Sequence, residues 1–445
     1  MQSNVDLKKS ITINPPYMNQ LMGGVFASLG IYKTIPLVHG SLGCANYVKH
    51  ILVEHFKEPL EIATTGFYES NAICGGIDNI VKAVENIELS KNPELIVVLT
   101  TGLSETIGED VKSEVKKRYV NKNIMAVNTP SYIGTHIDGY NNAVKSIIEG
   151  ILEKNSSSKK NKTKTTKTTK NEVINIIHGV VNPGDVRELE HIFKTLDIMY
   201  NLLMDIKSMD RPLRLPKEEY PKCDTTVDNI KNSINSKATI SFGMEGIDGA
   251  KYLKKFGVES YNLKFPIGIE NTDNLIKTLS KISGKEIPDE LWDDRGYALD
   301  AMVDTNHIVR NKKVAIYGDP DKVIALVDFA YEVGMDVVAV LSNTNTKYFT
   351  KKINSIAKHN DKNIAIVEGG DLYELQNFLK SHPVDLLIGD YRGKYVADAL
   401  DIPLLKVGFP VIDRYGHTKK AMIGYNGALT IINDIANLLV SIDGK

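Results

Sequence analysis

Residues 95–100 read Leu-Ile-Val-Val-Leu-Thr, and few places in a fold accept so short and so apolar a run. A strand with one wet face would alternate, and a buried helix would need about twice the length; a central parallel strand, covered on both faces, fits. The turn that follows, Thr101-Gly102-Leu103-Ser104-Glu105, carries a helix-start pattern. The same order of apolar run, polar turn and amphipathic stretch recurs along the chain. Strands are expected near 31–38, 95–100, 124–127, 173–177, 313–317, 336–341, 364–368 and 386–389. Helices are expected over 46–55, 109–119, 139–152, 186–195, 250–256, 275–283, 289–309, 322–333 and 427–439. Strand–helix alternation predicts the α/β class with doubly wound sheets.

At 445 residues the chain exceeds what one core sustains, so three successive Rossmann-like domains are expected rather than one large sheet. The boundary signal is residues 155–170, built almost wholly of Ser, Lys, Thr and Asn, a composition that cannot bury a core. This gives a first α/β domain over 1–154, a Lys/Ser/Thr-rich linker over 155–172, a second domain over 173–310 and a third over 311–445. Residues 212–221 are read as irregular.

The 54 basic and 55 acidic side chains nearly cancel, leaving no electrostatic footprint for nucleic acid or an anionic membrane. No apolar run reaches the roughly 18 residues of a membrane span, and residues 1–12 lack a signal-peptide core. Three cysteines in this length argue against a disulfide framework and for a reducing compartment, so a cytoplasmic location is expected.

Cys44 is the residue with most to say about chemistry. It follows His39-Gly40-Ser41-Leu42-Gly43, on a glycine-rich strand-to-helix turn where backbone N–H groups can reach a sulfur or an anion. Iron–sulfur clusters and zinc usually need four ligands, yet Cys74 and Cys223 fall at no ligand spacing to it. Either another chain supplies the remaining ligands, or Cys44 is a small thiol packed behind a turn. Two other patterns merit a place. Gly318-Asp319-Pro320-Asp321 opens a helix after a strand, but its acids would repel a phosphate, so helix capping is expected. Asp300, Asp304 and His307 share one face of a helix, as a metal site would need; structural hydrogen bonding is the expected role. No Ser–His–Asp set or zinc-hydrolase motif is present.

The segment PLVHGSLGCANYVKHILVEHFKEPLEIATTGFYESNAICGG, then LTTGLSETIGEDV, VNTPSYIGTHIDGY and LLKVGFPVIDRYG, resembles the β-type half of the nitrogenase component 1 family. Within that family the likeness runs to the NifN branch, scaffolds for assembly of the iron–molybdenum cofactor. In catalytic β subunits of the family three cysteines help hold an eight-iron cluster. The first would fall on Cys44, the second on Ile62 and the third on Gly102, so one is kept and two are gone. The resemblance implies that Cys44 is this chain's sole metal ligand, to a [4Fe–4S] cluster shared with a NifE-like α-type subunit. Gly40, Gly43 and Glu105 would line the cluster pocket. His39 belongs to the motif without being a ligand, and packing or a hydrogen bond beside the cluster is its expected role.

By the same resemblance, the complex is α2β2, a nitrogenase iron protein docks transiently, and a cofactor precursor is held mainly by the partner. The alternative is a catalytic β subunit, of a nitrogenase or of a nitrogenase-like tetrapyrrole reductase. A metal-free binding module with paired α/β lobes is the remaining reading.

Overall fold

The computed structural model describes residues 17–158, 170–210, 212, 220, 222–344, 346–367 and 371–443. Among them, thirteen strands form three wholly parallel sheets. The first holds β1 (Thr34–His39), β2 (Ala63–Thr64), β3 (Leu95–Thr100) and β4 (Ile124–Val127) in the order β2-β1-β3-β4. The second holds β5 (Ile174–Ile177), β6 (Tyr200–Leu203), β7 (Ala238–Phe242) and β8 (Glu259–Leu263) in the order β6-β5-β7-β8. The third holds β9 (Lys313–Gly318), β10 (Asp336–Ser342), β11 (Ala365–Ile366), β12 (Leu386–Gly389) and β13 (Leu404–Lys406) in the order β11-β10-β9-β12-β13. The α/β class and its repeated doubly wound pattern are therefore as the apolar runs predict.

The chain gathers into two compact units. The larger comprises residues 18–301 with 409–431, and the smaller is built around residues 302–408 with the stretch from 432. The first two sheets belong to the larger unit and the third to the smaller. In the larger unit, β1 and β3 are buried throughout. Ile35, Leu37, Ile96 and Val98 pack beneath Ile80, Val84 and Ile87 of the helix Ile77–Lys91. Burial of this kind contributes about 25 cal/mol per Å² of apolar surface, which is why the sequence signal was strongest here. In the smaller unit Ala315, Tyr317, Ala339, Leu341 and Leu387 form the equivalent core against Leu372, Leu375 and Leu379.

Three expectations need correction. β6, β7 and β8 were not anticipated: buried Asn201 in β6 and Thr239 and Ser241 in β7 interrupt the apolar runs, and β8 (Glu-Ser-Tyr-Asn-Leu) is only partly buried. The helix expected over 139–152 runs from His136 to Ser158 and enters the segment read as linker; residues 159–169 of that segment lie outside the described residues. So do 213–219 of the stretch read as irregular. The helix expected to include residue 109 starts at Val111, with Asp110 Oδ1 accepting the Ser113 N–H at 3.1 Å as its cap. Glu109 is thereby freed for another role.

Candidate functional site

The strand order of the first sheet fixes where a site can form. The connection after β1 leads toward β2, while that after β3 leads toward β4, so the two diverge between β1 and β3. Ligands of open parallel sheets settle outside the carboxyl ends of the strands at such a divergence. The register pairs Thr34 with Leu95 and His39 with Thr100, so both strands finish level.

Here the two strand ends are knit tightly. Thr101 Oγ1 donates to the His39 carbonyl at 3.1 Å. The Gly40 N–H donates to Thr65 Oγ1 at 3.1 Å, and the Gly40 carbonyl accepts from the Phe67 N–H at 2.9 Å. A Cβ on Gly40 would sit 2.4 Å from Thr101 Oγ1, so the residue is glycine because the second strand end leaves no room.

Cys44 lies one step further on than the sequence suggested. It is not on the turn but in the first turn of the helix Leu42–Phe56, which starts after Ser41. Ser41 gives no side-chain cap to that helix; its Oγ donates instead to Cys44 Sγ at 3.4 Å. The thiol is half-buried, and Leu42 and Gly43 beside it are exposed. A Cβ on Gly43 would meet nothing closer than Ser41 Oγ at 3.9 Å, so that side of the turn is open. The half-exposed thiol, uncapped helix start and open approach leave the Cys44 sulfur reachable from outside the chain.

The other cysteines are arranged differently. Cys74 ends the helix Glu69–Cys74 and is exposed. Cys223 donates its S–H to the Gly30 and Asp205 carbonyls, each at 3.1 Å. Burial, reinforced by the Asp205 charge, holds its thiol well above the usual pKa, so it is not a ready ligand. At the two other positions that the resemblance assigns to cysteine, Ile62 is half-buried and so is Gly102, whose N–H donates to Ser131 Oγ at 3.3 Å.

Glu105, expected as a pocket-lining acid, lies half-buried in the helix Gly102–Ile107 and accepts a 2.5 Å hydrogen bond from Thr100 Oγ1 at the end of β3. Glu109, not singled out in the sequence, has the richer environment. Its Oε1 accepts the N–H groups of Gly76 (2.6 Å) and Ile77 (3.2 Å), and its Oε2 lies 3.3 Å from His39 Nε2. His39 is fully buried against the edge of the Phe67 ring, with centroids 4.6 Å apart. Burial lowers its pKa, and the Glu109 hydrogen bond and charge act in the opposite sense. A signal for Glu109 did exist: Gly108, in a left-handed conformation, and Asp110, a capping residue, flank it and mark a break between helices.

The remaining candidates separate from this site. Asp319 occupies a helix N-cap position, but its carboxylate does not cap; it accepts from Lys322 Nζ at 2.8 Å and Asn343 Nδ2 at 2.5 Å. Asp300, Asp304 and His307 are exposed on the helix Asp289–Val309, not engaged in structural hydrogen bonds. Among the described residues no group of three or more His, Cys, Asp and Glu side chains could hold a metal ion. No described helix is long and apolar enough to cross a membrane.

Residues 19–440 match the profile of the nitrogenase component 1 type oxidoreductases. The chain belongs to that family. It is 36% identical over 443 residues to the nitrogenase molybdenum–iron protein beta chain of Clostridium pasteurianum, covering 97% of this chain and 94% of that one. The vanadium–iron beta chain of Trichormus variabilis is 36% identical over 447 residues (96% and 94% covered), and the iron–iron beta chain of Rhodobacter capsulatus 33% over 445 (96% and 94%). Among solved structures, nitrogenase Cp1 at pH 6.5 superposes with a TM-score of 0.89 at 34% identity, covering 98% of this chain and 95% of that one. The likeness is thus to β-type chains of molybdenum, vanadium and iron nitrogenases alike. These names favour the catalytic reading that the sequence placed second; a special closeness to the scaffold branch does not follow from them.

Proposed function

We propose that this chain is the β-type subunit of a nitrogenase component 1-type complex, contributing Cys44 as its one thiolate to an iron–sulfur cluster shared with an α-type partner. The observation that carries the proposal is the single thiol at the divergence of the first sheet, with Ile62 and Gly102 at the two other cysteine positions. One sulfur of the usual four fits a cluster only if the others come from a second chain. The surface around it supports that. The connections after β1, β2, β3 and β4 carry Leu42, Tyr68, Ile73, Leu103, Tyr132 and Ile133, which are 39% to 86% exposed. Large apolar side chains displayed together at one sheet edge mark a protein interface.

A shared [4Fe–4S] cluster would supply one-electron transfer. This chain's own residues would position Cys44 through Ser41 and Gly40, and shield it from water with the apolar rim. A single-thiolate site argues for the NifN-like scaffold role, with a NifE-like partner holding most of the iron–molybdenum cofactor precursor, an iron protein docking transiently, and an α2β2 assembly. The second reading, a catalytic β subunit, is favoured by the names of the relatives. The two differ in iron content. The chain is to be purified anaerobically with its partner, with iron counted and the EPR of the reduced complex recorded for wild type and Cys44→Ala. About four irons per heterodimer, with a [4Fe–4S] signal altered by the substitution, is the expected result. Roughly twice that count would make the chain a catalytic subunit. No iron, and no effect of the substitution, would return Cys44 to packing.

A further inference from the structure

Glu109 is the residue whose contacts the proposed function leaves unused. Its carboxylate joins three pieces of chain that meet on the Cys44 side of the first sheet. Oε1 takes the Gly76 and Ile77 N–H groups at the start of the helix Ile77–Lys91, and Oε2 meets His39 at the end of β1. The neighbouring backbone is shaped around this junction. A Cβ on Gly75 would lie 2.5 Å from Glu109 Oε1, and one on Gly76 would lie 2.3 Å from the Phe67 ring. Phe67 in turn packs on His39, and its N–H is bonded to Gly40. From His39 the backbone passes through Gly40 to Ser41, whose hydroxyl touches Cys44 Sγ. One carboxylate therefore fastens both the β1 end that leads into the Cys44 turn and the segment 67–77, which bonds to Gly40 and packs on His39.

We infer that Glu109 is a positioning residue that fixes the Cys44 turn by clamping His39 and the Gly75–Gly76 corner together. The inference rests on the reading of Cys44 as the working thiol, but its test needs no iron. The clamp depends on reach and on an acceptor oxygen rather than on net charge. A glutamine keeps the reach and the Oε1 acceptor for the two amides, and its NH2 donates to His39 Nε2 once the ring carries its proton on Nδ1; an aspartate keeps the charge and loses the reach; an alanine loses everything.

The experiment is iodoacetamide modification of the full chain in a Cys74→Ser background, with the Cys44 peptide followed by mass spectrometry and folding checked by circular dichroism. Glu109→Ala is expected to raise the Cys44 rate by about tenfold, the scale of losing charge-assisted hydrogen bonds. Glu109→Gln is expected to restore the wild-type rate, and Glu109→Asp to resemble alanine. A wild-type rate in a folded alanine variant would overturn the inference. So would an aspartate variant at the wild-type rate paired with a fast glutamine variant, because that pattern reports charge. If the alanine variant does not fold, the aspartate and glutamine pair decides alone. Because the thiol rate is read before any cluster is loaded, a failed iron count leaves this result standing, and a failed clamp leaves the iron count standing.

Discussion

His39 ends β1 with its ring buried, one nitrogen on Glu109 and the other, Nδ1, with no hydrogen-bond partner. A buried imidazole with a carboxylate on Nε2 is best served by the neutral form that donates there, leaving Nδ1 as the unpaired acceptor. Burial is the largest influence on its pKa and lowers it, while Glu109 works the other way. Removing the charge alone must then leave burial less opposed. In Glu109→Gln the His39 titration, followed by NMR, is expected to move further down; a rise would show that the carboxylate is not what supports the protonated ring. The sign carries to stability. Because the folded-state pKa is depressed, the contribution of neutral His39 is present above pH about 6.5 and is lost as pH falls below it. At this scale Cys44 was legible, because glycine and an apolar strand announced its turn. Glu109 was only half legible: Gly108 and Asp110 mark the helix break that frees it, but nothing in the sequence names its partners, more than thirty positions away.

The helix Leu42–Phe56 is held at its far end as firmly as at the Cys44 end. His55, fully within the core of the larger unit, donates from Nε2 to Asn182 Oδ1 at 2.8 Å and accepts the Val411 N–H on Nδ1 at 3.0 Å. Phe409 packs edge-on against it, 4.9 Å between centroids. Burial first, and the neighbouring His417 second, push its pKa down to about 3. Between that value and about 6.5 the unfolded chain binds a proton that the folded chain refuses. Stability is therefore full above about pH 6.5 and falls by about 1.4 kcal/mol per unit as the solution is acidified. His55→Ala should cost about 2–4 kcal/mol in urea unfolding at neutral pH and should remove one proton's worth of this acid slope. An unchanged slope would place the proton elsewhere. Elements differed in how clearly the sequence announced them. β3, β4 and β12 lie where short apolar runs put them. β6 and β7 escaped because buried polar residues break their apolar runs, whereas β5, in the same ladder, kept three isoleucines around its Asn175; β8 escaped because it is largely unburied. Asn201 Nδ2 donates to Asn175 Oδ1 at 3.0 Å, and Asn175 Nδ2 to Thr239 Oγ1 at 3.2 Å. Buried amides that satisfy one another look like turn residues in a one-dimensional pattern. Helix starts were read late, as at His136 and Ile269, because polar first turns carry no apolar period.

At the scale of the molecule, three sheets repeat one plan, and each has a divergence point. Those of the second and third sheets are filled by the chain's own side chains. Glu245, after β7, accepts the Val180 N–H after β5; Asp390, after β12, is ion-paired with Arg392. Among the described residues, the first presents a half-exposed thiol beside exposed apolar side chains, the setting on which the proposed cluster and partner site rests. Ile73 is 86% exposed, so Ile73→Asp should leave the fold intact and weaken assembly with the partner by about tenfold, measured by native mass spectrometry over a dilution series. Unchanged affinity would move the interface off this edge. Family and architecture were readable because they rest on long motifs and buried strands. The role within the family was not, because the scaffold and catalytic readings differ in how Ile62 and Gly102, at the two other cysteine positions, are weighed against the names of the relatives.

The unequal settings of the three sulfurs have a bearing on life in air. Cys223, its S–H spent on two carbonyls and its ionisation suppressed, has little thiolate to offer an oxidant. Cys74 stands in the open, and Cys44 is half-open with the Ser41 hydroxyl bonded to its sulfur. Oxidation would therefore fall on the exposed carboxyl-end edge of the first sheet and spare the interior. An aerated preparation would keep its shape while its two accessible sulfurs were spent, and with them the thiolate on which the proposed cluster depends.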